Sequence, residues 1–239
     1  MAKTKRAGRR KSAKRADPGK VIRRWVLRGA FAVVVLFAGL ILLFSIVPVP
    51  TTPYMLAESR RLGGVDHEWR SMDRIAPVMV RSAVAAEDAN YCAHWGFDIG
   101  ALRKAIEGGV RRGGSTISQQ TVKNVFLWQG RSWPRKALEA VLTPAVELVW
   151  TKRRILEVYL NVAEFGEGVF GVQAAARHYF ETDAQHLTPV QAARLAAILP
   201  DPKDRSASSP GDFTRRRAAS IMDGAATINR DGRARCFSG

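Results

Sequence analysis

A mainly helical domain behind one membrane-spanning helix is the fold this sequence predicts, and three observations predict it. Gly29 to Val47 is an apolar run broken only by Ser45. Downstream, Leu138, Val141, Leu142, Ala145, Val146 and Val149 recur at steps of three and four, as do Ile155, Leu156, Tyr159 and Leu160. That is the period of a helix with one apolar face. No stretch alternates convincingly in the manner of a half-buried strand.

The elements follow in order. Residues 1–28 hold 12 Lys or Arg against Asp17 alone, so +11 of the net +17 lies there and +6 is left for the other 211 residues. The basic balance is mostly that of a tail. A solvated or nucleic-acid-binding arm is one reading of such a block. Attached to a membrane helix, attraction to anionic lipid is the simpler account, and no nucleic-acid partner is expected. The 19 residues 29–47 reach about 28 Å as a helix, close to the ~30 Å of a bilayer core. A cleaved signal has a shorter apolar region and a small-x-small site, which residues 45–50 do not offer. A retained anchor is therefore expected, with residues 1–28 in the cytoplasm by the positive-inside rule and everything after Pro48 outside. Residues 48–53, with three prolines, make a stiff connector, since proline neither continues a helix nor lets its predecessor take helical angles easily.

Residues 54–230 form the domain and 231–239 a tail expected to fray. Within the domain, Gly108, Gly109 and Arg111 to Gly114 mark a mobile loop. Pro134 suits a first helical turn, and Pro144 is expected to kink its helix. A core is affordable in composition, with 46% apolar residues. Cys92 and Cys236 are expected as free thiols, because spacing alone establishes no pairing. No SxxK motif occurs, so a Ser-Lys acylation centre has no candidate.

Four polar clusters between Glu87 and Asn161 carry the chemistry. In the first, Val80, Val84, Glu87 and Tyr91 fall at steps of four, three and four, which puts Glu87 in an apolar stripe. A desolvated carboxylate there has its pKa raised and suits acid–base work; an exposed acid beyond the helix end is the plainer alternative. In the second, Gly113 to Thr116 leads into a helix with Thr116 and Gln119 as a capping box. Ser115 then stands beside a helix N-terminus that favours an anion, with Gln120, Lys123 and Asn124 following. Capping alone is the competing account of Ser and Thr. In the third, Arg135 and Glu139 are an i, i+4 pair, with Arg131 and Lys136 nearby, and a surface salt bridge would explain it as well. In the fourth, Glu157 and Asn161 share that spacing and read as structural braces. The lone His94 has no His/Cys cluster at ligand spacing, so it reads as a hydrogen-bonding residue and no metal site is assigned. The run Arg215 to Arg217 reads as a solvated face.

Together these clusters resemble the motifs of the family 51 glycosyltransferases, which polymerise lipid II into peptidoglycan. Those motifs run E-D-x-x-F-x-x-H-x-G, G-x-S-T-I-x-Q-Q-x-x-K-N, R-K-x-x-E and K-x-x-I-L-E-x-Y-L-N. All four occur here in order, from Glu87, Gly113, Arg135 and Lys152 respectively. Tyr91 replaces the usual Phe, and Gln191 stands where an acid is common in a later matching stretch, Leu187 to Pro202. The likeness covers roughly Tyr54 to Pro210.

The resemblance implies a lysozyme-like, two-lobed domain whose smaller lobe lies against the membrane. It assigns Glu87 as the base and places Glu139 with it as a catalytic carboxylate. Ser115, Gln120, Lys123, Asn124, Arg131, Arg135 and Lys136 would then bind substrate and its diphosphate. It further implies a cytoplasmic (inner) membrane enzyme with its catalytic domain on the outer face. Its substrates would be lipid II and the growing lipid-linked strand, its neighbours membrane lipids and cell-wall or division proteins, and a divalent metal (Mg2+ or Mn2+) would be compatible. Two rivals are a muramidase or lytic transglycosylase, which cleaves glycan with an acidic Glu, and an inactive membrane-tethered scaffold.

Overall fold

The computed structural model describes residues 18–107 and 114–238. The expected mobile loop at 108–113 and the tail before residue 18 lie outside the described residues. The chain divides into an N-terminal unit, Met1–Leu42, and a compact unit, Leu43–Gly239.

The described residues of the first unit form one helix, α1 (Pro18–Phe44), whose last two residues belong to the second; the stretch Ile22–Phe44 is long and apolar enough to cross a membrane. The helix thus begins well before the expected residue 29. Lys20, Arg23, Arg24 and Arg28 are straight-chain residues that lose little on entering a helix, and Pro18 is tolerated in a first turn. It ends at Phe44, ahead of the expected Val47, with a turn leading into Pro48.

The second unit is built from α2 (Pro53–Leu62), α3 (Pro77–Glu87), α4 (Ile99–Glu107), α5 (Ile117–Phe126), α6 (Trp133–Val149), α7 (Lys152–Val162), α8 (Val172–Phe180), α9 (Pro189–Ile198) and α10 (Asp212–Arg230). Helix starts follow local chemistry. Thr52, Thr116, Thr151 and Thr188 each accept an N–H of the first turn through the side-chain oxygen, and Pro53, Pro77, Pro134 and Pro189 occupy first-turn positions. Both devices stabilise N-termini whose N–H groups lack intrahelical partners. Helix α6 runs on through Pro144.

Two packed groups make the core. In one, α10 packs on α9 and α3, which also pack on each other; Ala192, Ala193, Ala196 and Ala197 are fully buried and permit the close approach. In the other, α5 lies between α6 and α7, with Ile117, Ile155, Leu156, Tyr159 and Leu160 sealed inside. A small sheet adjoins α8: β1 (Asp66–His67), β2 (Glu164–Gly166) and β3 (Val169–Phe170), in the order β1-β3-β2, with β1 parallel and β2 antiparallel to β3. The sequence reading found no strand because segments of two or three residues are too short for alternation to show. Gly171 leaves this sheet at φ 83°, where a Cβ would come within 2.7 Å of the Asn161 carbonyl oxygen, so the turn requires glycine.

Two expectations for the C-terminus are corrected. Cys92 and Cys236 form a disulfide across 144 residues of sequence, not a pair of free thiols. Residues 231–237 are turns rather than a frayed end, and Phe237 is buried against Tyr91 at a ring separation of 6.2 Å. Arg153 also donates to the Phe237 carbonyl (3.2 Å). Contacts at such sequence separation leave no local signature.

Candidate active site

Glu87 is the last residue of α3, largely enclosed, with a side chain 13% exposed. Its Oε2 accepts a hydrogen bond from Gln120 Nε2 at 3.0 Å. Its Oε1 has no hydrogen-bond partner, and the Arg217 guanidinium lies 3.5 Å from it. Burial pushes the Glu87 carboxyl above its ordinary pKa; Gln120, Arg217 and Lys123 oppose that rise, and Asp88 adds to it. Placement at the negative end of a helix works in the same raising direction. The stripe reading of Glu87 is therefore the one the structure adopts.

Gln120 is held in turn: its amide also reaches the Ser115 carbonyl (3.5 Å), and its oxygen accepts from the Tyr159 hydroxyl (3.5 Å). One turn on, Lys123 is half-buried and makes no hydrogen bond or ion pair with the described residues. Burial lowers its pKa, Arg135 and Lys136 lower it further, and Glu139 and Glu87 raise it. A desolvated ammonium without a counterion is a strong site for an anionic ligand. Asn124 is buried and accepts from Gln129 (3.2 Å).

Glu139, deep in the structure at 2% exposure, receives Arg135 on one oxygen (2.7 Å) and Lys136 on the other. Arg135 additionally donates to the Gly130 carbonyl (2.8 Å), and Lys136 to Ser115 Oγ (3.3 Å). This is a buried network, not the surface pair of the plainer reading. With both oxygens engaged by cations, Glu139 has the chemistry of an anchor for Arg135 and Lys136 rather than of a proton acceptor. Arg131 is exposed in the turn before α6, with no hydrogen bond or ion pair among the described residues.

At the α5 N-terminus two of the first-turn N–H groups are already engaged. Its Ile117 N–H is taken by Asp88 Oδ2 (3.0 Å) and its Gln119 N–H by Thr116 (3.2 Å), so these donors do not face a ligand. Asp88 Oδ1 meets His94 Nε2 at 2.8 Å, which makes His94 the structural hydrogen-bonding residue expected. Asp88, His94 and Asp98 offer ligand-type atoms within 4.8 Å of one another. Both Asp88 oxygens are engaged by N–H groups, and Asp98 accepts from Ala101 and Asn90, so the group braces the loop after α3. Glu157 and Asn161 brace too, though not as a side-chain pair. Glu157 takes Arg154 and the Met72 N–H, and Asn161 binds both backbone groups of Arg70.

Sequence reasoning missed several residues here. A cavity of ≈ 360 Å³ is lined by Gln120, Lys123 and Asn124 and also by Tyr54, Glu164 and Lys203. Glu164 is buried, accepts from the Tyr54 hydroxyl, and lies 3.7 Å from Lys203 Nζ; burial raises its carboxyl above the ordinary range. Its only sequence signal was its position three residues beyond the fourth cluster. Glu147 is buried and gathers Ser118 (2.5 Å) and Lys152 (2.7 Å). Arg217, read as part of a solvated face, is at Glu87.

Glu87, Asp88 and Glu139 do not together form a site for a divalent cation. Glu139 and Asp88 have no free oxygen, and the free Oε1 of Glu87 already faces Arg217. Lys123, Arg135 and Lys136 lie within electrostatic reach of one another, with Glu139 and Glu87 as the opposing carboxylates, and this leaves an excess of positive charge that suits an anionic ligand. Glu87 does not itself line the cavity but is joined to its wall by the Gln120 hydrogen bond, and an enclosed carboxylate of raised pKa near a lysine without an ion pair fits proton removal beside a departing anion.

The transglycosylase family profile matches residues 56–226. A biosynthetic peptidoglycan transglycosylase of Jannaschia sp. (strain CCS1) is 58% identical over 238 residues, covering all of both chains. Proteins of the same name from Caulobacter vibrioides (46% identical, 92% of this chain and 100% of theirs) and Klebsiella oxytoca (49%, 85% and 89%) are also similar. The chain belongs to the transglycosylase family.

Proposed function

We propose that this member of the transglycosylase family is a peptidoglycan glycosyltransferase of cell-wall synthesis that polymerises lipid II, with Glu87 as its base. One observation carries the assignment of roles: an enclosed carboxylate of raised pKa, oriented by Gln120, stands within electrostatic reach of a lysine that has no counterion.

In the reaction, Glu87 accepts the proton of the 4-hydroxyl on the acceptor's GlcNAc as that oxygen attacks the anomeric carbon of the MurNAc at the reducing end of the growing strand. The new glycosidic bond forms with inversion, the bond to the diphosphate oxygen breaks, and undecaprenyl diphosphate leaves with the electron pair. Lys123 meets the developing charge. Arg135 and Lys136, held in place by Glu139, add to it. Acceleration comes from positioning and from charges already in place as the leaving group departs.

A lytic or muramidase activity would give the unpaired Lys123 no charged leaving group to stabilise. An inactive scaffold would have no reason to keep Glu87 enclosed and oriented, which stabilises nothing. One N-terminal apolar helix is consistent with a membrane anchor. An orientation with the domain on the outer face follows from the basic residues on its N-terminal side. Trp133, Val141 and Leu148, exposed at 88%, 71% and 73% along α6, support contact of this lobe with the bilayer. Incubation of the purified full chain with labelled lipid II tests the proposal. Polymer is expected from the parent and not from Glu87→Gln, whereas release of fragments from finished, lipid-free glycan would favour the hydrolytic reading.

A further inference from the structure

Arg217 lies outside all four polar clusters, on the last helix of the chain, 130 residues beyond Glu87 in sequence. Its guanidinium nevertheless donates to the Ala86 carbonyl (3.2 Å) and reaches to 3.5 Å of Glu87 Oε1, the carboxylate oxygen without a hydrogen bond. The Ala86 carbonyl is among the last of α3, where no following turn supplies an N–H. A cation at this helix end is favourable to the dipole and opposes the charge of the carboxylate beside it.

This placement is built into the packing of α10 on α3. Thr214, Ala218, Ile221, Ala225 and Ile228 are buried at alternating steps of four and three, and Arg217 lies on the same face between the first and third of them. Gly224 of α10 packs directly on Ala85 of α3: a Cβ on Gly224 would stand 3.1 Å from that of Ala85. Ala85 is two residues from Glu87 and Gly224 is seven from Arg217, two turns of helix. Glycine at this crossing therefore sets the register that brings Arg217 to the end of α3.

We propose that Arg217 is a positioning residue for the transfer reaction, holding the C-terminal end of α3 and keeping the Glu87 carboxylate in the state that accepts a proton. The inference rests on Glu87 being the base. The groups facing Glu87 are Asp88 on its own segment, Gln120 and Lys123 on α5, Tyr159 on α7 and Arg217 on α10. Lys123 has the leaving group as its other task, whereas Arg217 has none that the site requires. Removing the Arg217 charge takes away an opposition to the effect of burial, so Glu87 holds its proton to higher pH.

The test is kcat/KM for lipid II polymerisation as a function of pH, in the full-length protein, for the parent, Arg217→Lys, Arg217→Met and Glu87→Gln. For Arg217→Met the acid limb is expected at higher pH, with activity on that limb down about tenfold, the lower end of what a close opposite charge contributes. The curve should rejoin the parent on the alkaline side, and Arg217→Lys should follow the parent throughout. A profile superimposed on the parent, or one lowered equally at every pH, overturns the inference. If Arg217→Met does not fold, Arg217→Gln, which keeps a donor for Ala86 without the charge, replaces it under the same criteria. Near-normal turnover in Glu87→Gln would instead remove the base assignment, which separates the two failures.

Discussion

Replacing both Cys92 and Cys236 by serine should lower the stability of the unit that follows α1 by several kcal/mol without changing its fold. The bond closes a loop spanning 144 residues. Treating the crosslink as a limit on the unfolded chain, the entropy lost on closing a loop of that length corresponds to about 5 kcal/mol at 25 °C, with 2–5 kcal/mol typical when native disulfides are removed. Both cysteines are only half-buried, so serine introduces no sealed hydroxyl. For a domain of this size each kcal/mol shifts a thermal midpoint by roughly 2–4 °C, so a fall of about 4–20 °C is expected. Thermal unfolding of the detergent-solubilised protein, followed by tryptophan fluorescence, measures it, and a reductant should reproduce the shift in the parent but not in the double variant. Phe237 would still pack on Tyr91, so the native fluorescence should be retained. A double-serine protein melting with the parent would refute the argument that the covalent link, rather than this local packing, holds the C-terminal turns.

The remaining predictions concern the site and the membrane. Glu87→Gln should reduce lipid II polymerisation by ~10²–10⁴-fold, the usual worth of general-base assistance, with an unchanged circular dichroism spectrum. Because the folded Glu87 carboxyl lies above its ordinary pKa, the native state binds the proton more tightly than the unfolded chain, and this group's contribution to stability falls as pH rises through that interval. Glu87→Gln should therefore melt above the parent at neutral and alkaline pH, and the advantage should vanish below the ordinary carboxylate range; an advantage independent of pH would contradict the burial argument. Lys123→Ala should slow polymerisation by about 2.7–4 kcal/mol in barrier, as loss of one preorganised charge-stabilising donor does, and a normal rate would remove Lys123 from the leaving-group site. A reporter fused after Gly239 should be active only outside the cytoplasm, and cytoplasmic activity would exclude access to lipid II sugars on the outer face.

Periodicity and local chemistry settled the helical class, the apolar span and the capping of α5, because a helix and its caps are decided within a few residues of sequence. The candidate site groups were legible for the same reason: Glu87 lies in an apolar stripe, and Gln120 and Lys123 sit on one face of α5. Roles within the site were a different matter. Nothing local distinguishes Lys123, left without a partner, from Lys136, which Glu139 neutralises, nor shows that Asp88 takes the Ile117 N–H at the start of α5. Glu164 and Arg217 enter the site only because the sheet and α10 fold back to it, and Cys92 meets Cys236 because the C-terminal turns pack on Tyr91. Strands of two or three residues are likewise held by neighbours rather than by any pattern of their own. Covalent and short-range preferences are written along the chain, but desolvation and charge pairing depend on which distant groups share a volume, and that is decided by tertiary packing.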